Sequence, residues 1–390
     1  MKSARYKIIH PGKQRMVRLA DTFLEMARIA RLIPSVPEVL TPVSSLDRSV
    51  QRILLIRLAY IGDVVLTQPV IEPVRKAFPD ARIDFLTSRA AAPLLGNDPD
   101  LDAVIPFDAP WFYSGTGTDS PGHLVDQLRD RYDLGFDFRG DIRNIWHCLY
   151  RPRIPIRCSY DSGGGGALLT HPVAWTTWKH KVEFHLDILR NAGLEAVSRD
   201  PRIHLTDTEI TAARRLLDTI PGCSGTAPIA VHPGSRLPLK RWPVDRFVDL
   251  IRRLNTAGAG SVVLMESPGN AALTRAIAQQ VPVAADLAGR VSIREMAALF
   301  HHCRVLICHD SAPMHIAAAA GCRVAAMFGP SRPLETAPCG PGHRIIEAEC
   351  PVKDRCDENR CLASGMNGCM ERISVDAVFH TVMSMNETPG

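Results

Sequence analysis

An uninterrupted apolar run that empties into a loop and then a helical pattern occurs twice in this chain, and that repetition limits the fold more than any other feature. Arg52, Ile53, Leu54, Leu55 and Ile56 form the first run, and Ile229, Ala230 and Val231 form the second. Neither shows the polar alternation of a half-exposed strand, so each reads as a parallel strand covered on both faces. After the first come a helix over 64–78, stopped by Pro79 and Asp80, a strand over 81–87, a short helix over 90–95 and a strand over 103–107. Helices over 123–132, 142–149 and 181–191 then alternate with strands over 134–138 and 154–157. Helices over 207–217, 244–255, 271–280, 293–301 (capped by Ser292) and 312–320 accompany the second run, with strands over 261–265, 305–308 and 324–327. The expectation is α/β: two doubly wound, Rossmann-like domains, 51–205 and 206–385, with the carboxyl ends of both sheets facing a central cleft.

At 390 residues the chain suits two cores rather than one. Its formal net charge of +5 permits anionic ligands or a membrane surface, and is too small and dispersed to argue for nucleic acid. No apolar run is long enough to span a bilayer, and no secretory leader is evident, so the expected address is cytoplasmic. Residues 1–50 stand apart. A basic amphipathic stretch over 16–32, with Arg15, Arg18, Arg28 and Arg31 around its apolar residues, reads either as a helix packed on the body or as one lying on an anionic membrane at the inner-membrane surface. Gly163, Gly164, Gly165 and Gly166 suggest a mobile loop.

Candidate chemistry clusters at strand ends. The second run leads through His232, Pro233, Gly234, Ser235 and Arg236 to Lys240, Arg241, Trp242 and Pro243, a basic loop at the mouth of a helix and a place for an anion. Gly62 and Asp63 occupy the first βα turn, where the carboxylate either meets ligand or caps the helix. The single glycine there departs from G-x-G-x-x-G, which argues against a nicotinamide-dependent oxidoreductase. His309, Asp310, Ser311, Ala312 and Pro313 form a helix start whose amides suit a phosphate, with capping the expected job of Asp310. Glu266 follows a strand and is placed either to accept from ribose hydroxyls or to sit in a solvated turn. Asp98, Asp100 and Asp102 surround a proline and read as a turn rather than a metal site. Cys350, Cys356, Cys361 and Cys369 lack a C-x-x-C pair; free thiols, disulfides and a metal site stay open.

Taken together, Gly62 to Pro69, the 232–236 and 240–243 segments, Asp310 to His315, Phe328-Gly329-Pro330-Ser331 and Cys369-Met370 make residues 51–385 resemble the bacterial lipopolysaccharide heptosyltransferases of glycosyltransferase family 9. The resemblance implies a GT-B fold, an N-terminal acceptor domain and a C-terminal nucleotide-sugar domain. It implies an ADP-heptose or related donor and a lipid-linked or other glycan acceptor, with neither a cofactor nor a metal required. Asp63 then looks like the general base, with Gly62 and Arg139 on the acceptor side. Lys240 looks like the cation beside the diphosphate and Glu266 like the ribose-binding carboxylate. Ser235, Arg236, Asp310, Ser311, Ala312 and His315 complete the donor side. The family commonly has glycine where Ala312 stands and histidine where Leu66 stands. A non-catalytic nucleotide-sugar-binding protein is the remaining alternative, and the presence of Asp63 argues against it.

Overall fold

The computed structural model describes residues 11–30, 50–112, 119–196, 200–281, 285–350 and 368–386. Packing divides the chain into two compact units, Met1–Arg199 and Asp200–Gly390. The division falls slightly before the expected 205/206 because Ile203 already hydrogen-bonds to the Ala319 carbonyl of the second unit at 3.0 Å.

In the first unit the described strands are β1 (Arg52–Arg57), β2 (Arg82–Thr87), β3 (Ala103–Pro106), β4 (Leu134–Asp137), β5 (Ile156–Tyr160) and β6 (His171–Val173). They form one parallel sheet in the order β3-β2-β1-β4-β5-β6. β1 sits at the centre with five of its six residues buried, which is why its sequence has no polar alternation. The order reverses between β1 and β4. That reversal opens a crevice at the carboxyl ends of the strands, and Asp63 follows β1 there.

Asp200–Gly390 repeats the plan. Its described strands are β7 (Ile229–His232), β8 (Val262–Leu264), β9 (Ala285–Asp286), β10 (Val305–His309), β11 (Arg323–Phe328) and β12 (Arg344–Glu347). All pair in parallel, in the order β12-β11-β10-β7-β8-β9. The reversal here lies between β7 and β10, whose ends carry the 232–236 loop and the helix start at Ala312. Helices Val244–Thr256 and Val375–Asn386 pack Phe247, Leu250, Ile251, Val378 and Val382 onto this sheet.

Several elements differ from the sequence reading. The helix expected over 64–78 is three pieces, Ile61–Val65, a 3-10 turn at Gln68–Val70 and Ile71–Ala77. Pro69 explains the break, since it lacks an N–H and cannot continue an α-helix interior. Gly62 lies buried inside the first piece and not in a left-handed turn. The four glycines form a packed turn instead of a mobile loop. A Cβ on Gly163 would stand 2.1 Å from the Gly140 carbonyl oxygen, Gly164 and Gly165 take φ of 87° and 83°, and the Gly165 amide donates to Asp21 at 2.7 Å. The helix Pro11–Ile29 therefore does pack on the body, through Val17 and Asp21 on the glycine turn and Ala27 and Leu24 in the core beneath.

The Asp98–Asp102 stretch is a turn as expected, with Asp98 accepting from the Asp100 amide at 3.0 Å and Asp102 from Ile83 at 2.8 Å. Cys356 and Cys361 lie outside the described residues, and so does the question of what their cluster binds.

Candidate active site

In the first unit, β1 delivers Arg57 to the carboxyl end of the sheet, and the next turn brings Asp63 back beside it. One Asp63 oxygen lies 2.6 Å from Lys181 Nζ and 3.4 Å from Arg57. Arg57 is itself buried and donates to the Phe138 carbonyl at the end of β4. Arg139 follows, donating to the Leu58 carbonyl at 3.3 Å and lying 4.2 Å over the Phe112 ring.

Burial works to raise the Asp63 carboxyl, but Lys181, then Arg57, with Arg139 behind them, outweigh it and hold the group far below the usual carboxylate range. Asp63 is therefore ionised, and it sits within the first turn of its helix without acting as the N-cap, a position held by Tyr60. His185, buried on the same helix as Lys181, bonds through Nδ1 to the Leu66 carbonyl at 3.0 Å. Burial, and then the charge of Arg57, keep it neutral.

In the second unit the basic loop is held from beneath. A Cβ at Gly234 would lie 1.7 Å from Glu266 Oε2, so only glycine lets the loop pass this carboxylate. Glu266 Oε1 is 3.3 Å from His232 Nε2 and accepts from the Ser267 amide at 2.8 Å and hydroxyl at 3.0 Å. Burial opposes these donors, yet they bring the group down to about 2. Glu266 Oε2 is buried with no partner among the described residues, an acceptor left over for a ligand hydroxyl. It is thus not the solvated turn residue that was one of its two readings.

His309, at the end of β10, ties the loop together. Its Nε2 accepts from the Trp242 amide at 2.9 Å, which leaves Nδ1–H to donate to the Gly234 carbonyl at 3.3 Å. That tautomer is neutral, and burial depresses the ring to about 3. Arg241 donates to the Ser235 carbonyl at 2.8 Å and reaches Asn270 at 3.4 Å, which in turn reaches Glu266 at 3.5 Å.

Lys240, on the 3-10 turn Pro238–Lys240, donates to Asp310 at 2.7 Å. Burial raises the Asp310 carboxyl, but Lys240 foremost, with His315 and Ser331, lowers it below its ordinary value. Asp310 thus does not cap the following helix as expected. The N-cap position belongs to Ser311, whose hydroxyl turns back to the His309 carbonyl at 3.4 Å, so no capping side chain takes the Ala312 amide; Pro313 has no N–H, and the Met314 amide donates to the Ser311 carbonyl at 3.1 Å.

The expected donor-side residues are therefore brought together within one unit: Ser235, Glu266, Lys240, Asp310, Ser311 and Ala312 border the ends of β7, β8 and β10, with His315 buried behind Asp310 and Arg236 exposed on the loop. Asp63, Gly62 and Arg139 gather at the β1/β4 reversal in the other unit. Sequence reading missed Arg57, Lys181, His185 and the roles of His232 and His309. Arg57 carried a usable signal, being the first charged residue after an apolar strand. Lys181 carried none, since 118 residues separate it from Asp63. Among the described residues no group of three or more His, Cys, Asp or Glu is arranged to hold a metal ion.

The family model for glycosyltransferase family 9 (heptosyltransferase) matches residues 122–364, more than half of the chain. The chain belongs to glycosyltransferase family 9. It is 28% identical over 318 residues to lipopolysaccharide heptosyltransferase 3 of Escherichia coli, covering 78% of this chain and 92% of the relative. Among solved structures, the family 9 glycosyl transferase of Veillonella parvula superposes with a TM-score of 0.76 at 20% identity, covering 86% of this chain and 97% of the other. The E. coli ADP-heptose lipopolysaccharide heptosyltransferase II does so with a TM-score of 0.68 at 22% identity, covering 86% and 98%. The family motifs acquire a physical reason here. A Cβ on Gly329 would lie 2.4 Å from Met370 Sδ, so Phe328-Gly329-Pro330 and Cys369-Met370, far apart in sequence, are two sides of one contact. The family match lends nothing to the oxidoreductase alternative.

Proposed function

We propose that this glycosyltransferase moves a heptose, or a closely related sugar, from an ADP-linked donor to a lipopolysaccharide core or other glycan acceptor, with inversion at the anomeric carbon. The observation that carries the reading is the second unit's arrangement of complementary donors and acceptors. Lys240 and the uncapped Ala312 amide suit a diphosphate, and Glu266 Oε2, unpartnered among the described residues, suits a ribose hydroxyl. The curated relative and the E. coli structural relative, named as heptosyltransferases, support the sugar, and the latter's ADP-heptose donor supports the nucleotide.

In the proposed reaction the acceptor oxygen bonds to the anomeric carbon as the bond from that carbon to the diphosphate oxygen breaks. The proton of the acceptor hydroxyl passes to Asp63, and ADP departs with the electron pair of the broken bond. Lys240 and the Ala312 amide at the helix start stabilise the charge growing on the leaving diphosphate. To meet that phosphate, Lys240 must exchange Asp310 for it. Asp63 must likewise be relieved of Lys181 before it is basic enough, and anionic groups on the acceptor would compete for that ammonium. Arg139, beside Asp63 and stacked on Phe112, is on the acceptor side in this reading. Because Lys240 and the Ala312 amide counter the charge on the leaving diphosphate in this reading, no metal is obligatory. The work belongs at the cytoplasmic face of the inner membrane, with the protein peripheral to it.

Calorimetry with ADP-, GDP- and UDP-linked sugars tests the donor: ADP-heptose should bind most tightly, and preference for UDP-sugars would overturn the assignment. Transfer undiminished in EDTA is expected as well.

A further inference from the structure

The helix Pro11–Ile29 has two faces, and the fold uses one of them. Val17, Asp21, Leu24 and Ala27 face the glycine turn and the core below it. On the other side Met16, Leu19, Phe23, Met26 and Ile29 are exposed by 68%, 72%, 72%, 63% and 81%. Their spacing of three, four, three and three residues aligns them as a stripe along the helix. Five large apolar side chains in a row on water are far from the scattered exposure normal for a surface.

Charge identifies what covers them. Residues 1–32 contain eight Lys and Arg against Asp21 and Glu25, an excess of six positive charges. The whole chain carries +5, so everything after residue 32 is close to neutral at −1. The positive charge that looked dispersed is thus concentrated on the segment that bears the stripe, and Arg15 and Arg18 are exposed on the helix itself. A second copy docking by the same face would set excess positive charge against excess positive charge. An anionic surface with an apolar interior complements both features. The helix is also too charged to cross a bilayer: among the described residues none qualifies as a span. It would lie in the plane of the interface, with the stripe in the headgroup and upper acyl region.

We infer that the Met16, Leu19, Phe23, Met26 and Ile29 face docks the protein on an anionic lipid bilayer. The contact gives the peripheral address of the proposed function its surface, but it stands on this helix alone and not on the sugar or the acceptor.

Co-sedimentation of the full-length protein with vesicles is the test. Binding is expected on equimolar phosphatidylcholine and phosphatidylglycerol, weakly if at all on phosphatidylcholine alone, and should fall as salt is raised. Leu19→Glu with Phe23→Glu should lower partitioning on the order of tenfold or more. Arg15→Gln with Arg18→Gln should lower it several-fold on the anionic vesicles only. Unaltered circular dichroism and ADP binding in both variants exclude misfolding. Equal binding by wild type and the Glu variant, or equal binding to both vesicle types, would overturn the inference. So would a wild-type dimer, split by the Glu substitutions, that binds no vesicle. Transfer to a delipidated acceptor should survive the Glu substitutions; its absence in the wild type, with vesicle binding intact, would count against the transferase reading and leave this contact standing.

Discussion

The two units share one strand order yet pair the carboxylates at their topological reversals in different ways. At the β1/β4 reversal the carboxylate of Asp63 is held by Lys181 and Arg57, while Arg139, nearby, is itself 3.5 Å from Asp141. At the β7/β10 reversal Lys240 and Asp310 neutralise one another beside a helix start, while Glu266 is satisfied on one oxygen and left open on the other. The first arrangement holds its carboxylate in reserve behind two cations. The second is an exchangeable pair that a diphosphate can open. The same scaffold supports either because side chains at strand ends are chosen independently of the strands that place them.

Replacing Asp63 with Ala tests that division most severely. Turnover should fall by about 10²–10⁴-fold, the usual contribution of a general base, while ADP-heptose affinity by calorimetry stays unchanged. Loss of donor affinity to the same degree would show that the sites do not divide the work as proposed. Lys240→Met should then cost both donor affinity and turnover, by about 10²-fold in kcat/KM, as expected for removing a group that stabilises leaving-group charge. A variant with unimpaired ADP binding would show that Lys240 serves Asp310 and not the ligand.

Gly234→Ala drives a methyl group into Glu266, and overpacking of that kind costs about 1–3 kcal/mol. A lower thermal midpoint and weaker binding of ADP are expected, with ADP losing more than inorganic pyrophosphate if Glu266 reads the ribose. A smaller effect should follow Lys181→Met. With its nearest cation gone the Asp63 carboxyl rises towards the normal range, so the acid limb of the kcat/KM profile should move to higher pH. No movement would mean that Arg57 and Arg139 set the basicity of Asp63 without Lys181.

The last test concerns stability. His309, at about 3, and Glu266, at about 2, are both lower in the fold than their ordinary 6.5 and 4.5. A depressed folded value contributes stability that is fully present above the unfolded one and is lost as pH falls through the window between them. Urea midpoints should therefore decline from pH 6.5 towards 3. His309→Asn, less stable at neutral pH, should flatten the upper part of that decline; a mutant curve parallel to the wild type would remove His309 as its cause.

Much of this was legible along the chain because its cause is local. Continuous apolar runs placed β1, β7 and β10, and Ser292 with Glu295 three residues on forms the capping box that starts Ile293–His302. Shorter elements carried too little signal. β6 and β9 have three and two residues, and β12 buries one of its four, so none shows a readable period. The helix Val375–Asn386, with Val378 and Val382 on one face, could have been read and was not.

By itself the sequence determined two βα-repeating halves, the strand-end position of each candidate residue and the positive, amphipathic character of the N-terminal segment. These depend on periodicity and on turn and capping chemistry within a few residues. Only tertiary structure decided that Lys181 would meet Asp63, that Lys240 would take Asp310 from across 70 residues, and that four glycines would be a seat for a helix and not a loose loop. Those contacts arise where strand order reverses and backbones touch. Which residues face one another there is a property of the assembled sheet, to which no stretch of chain short enough to carry a pattern has access.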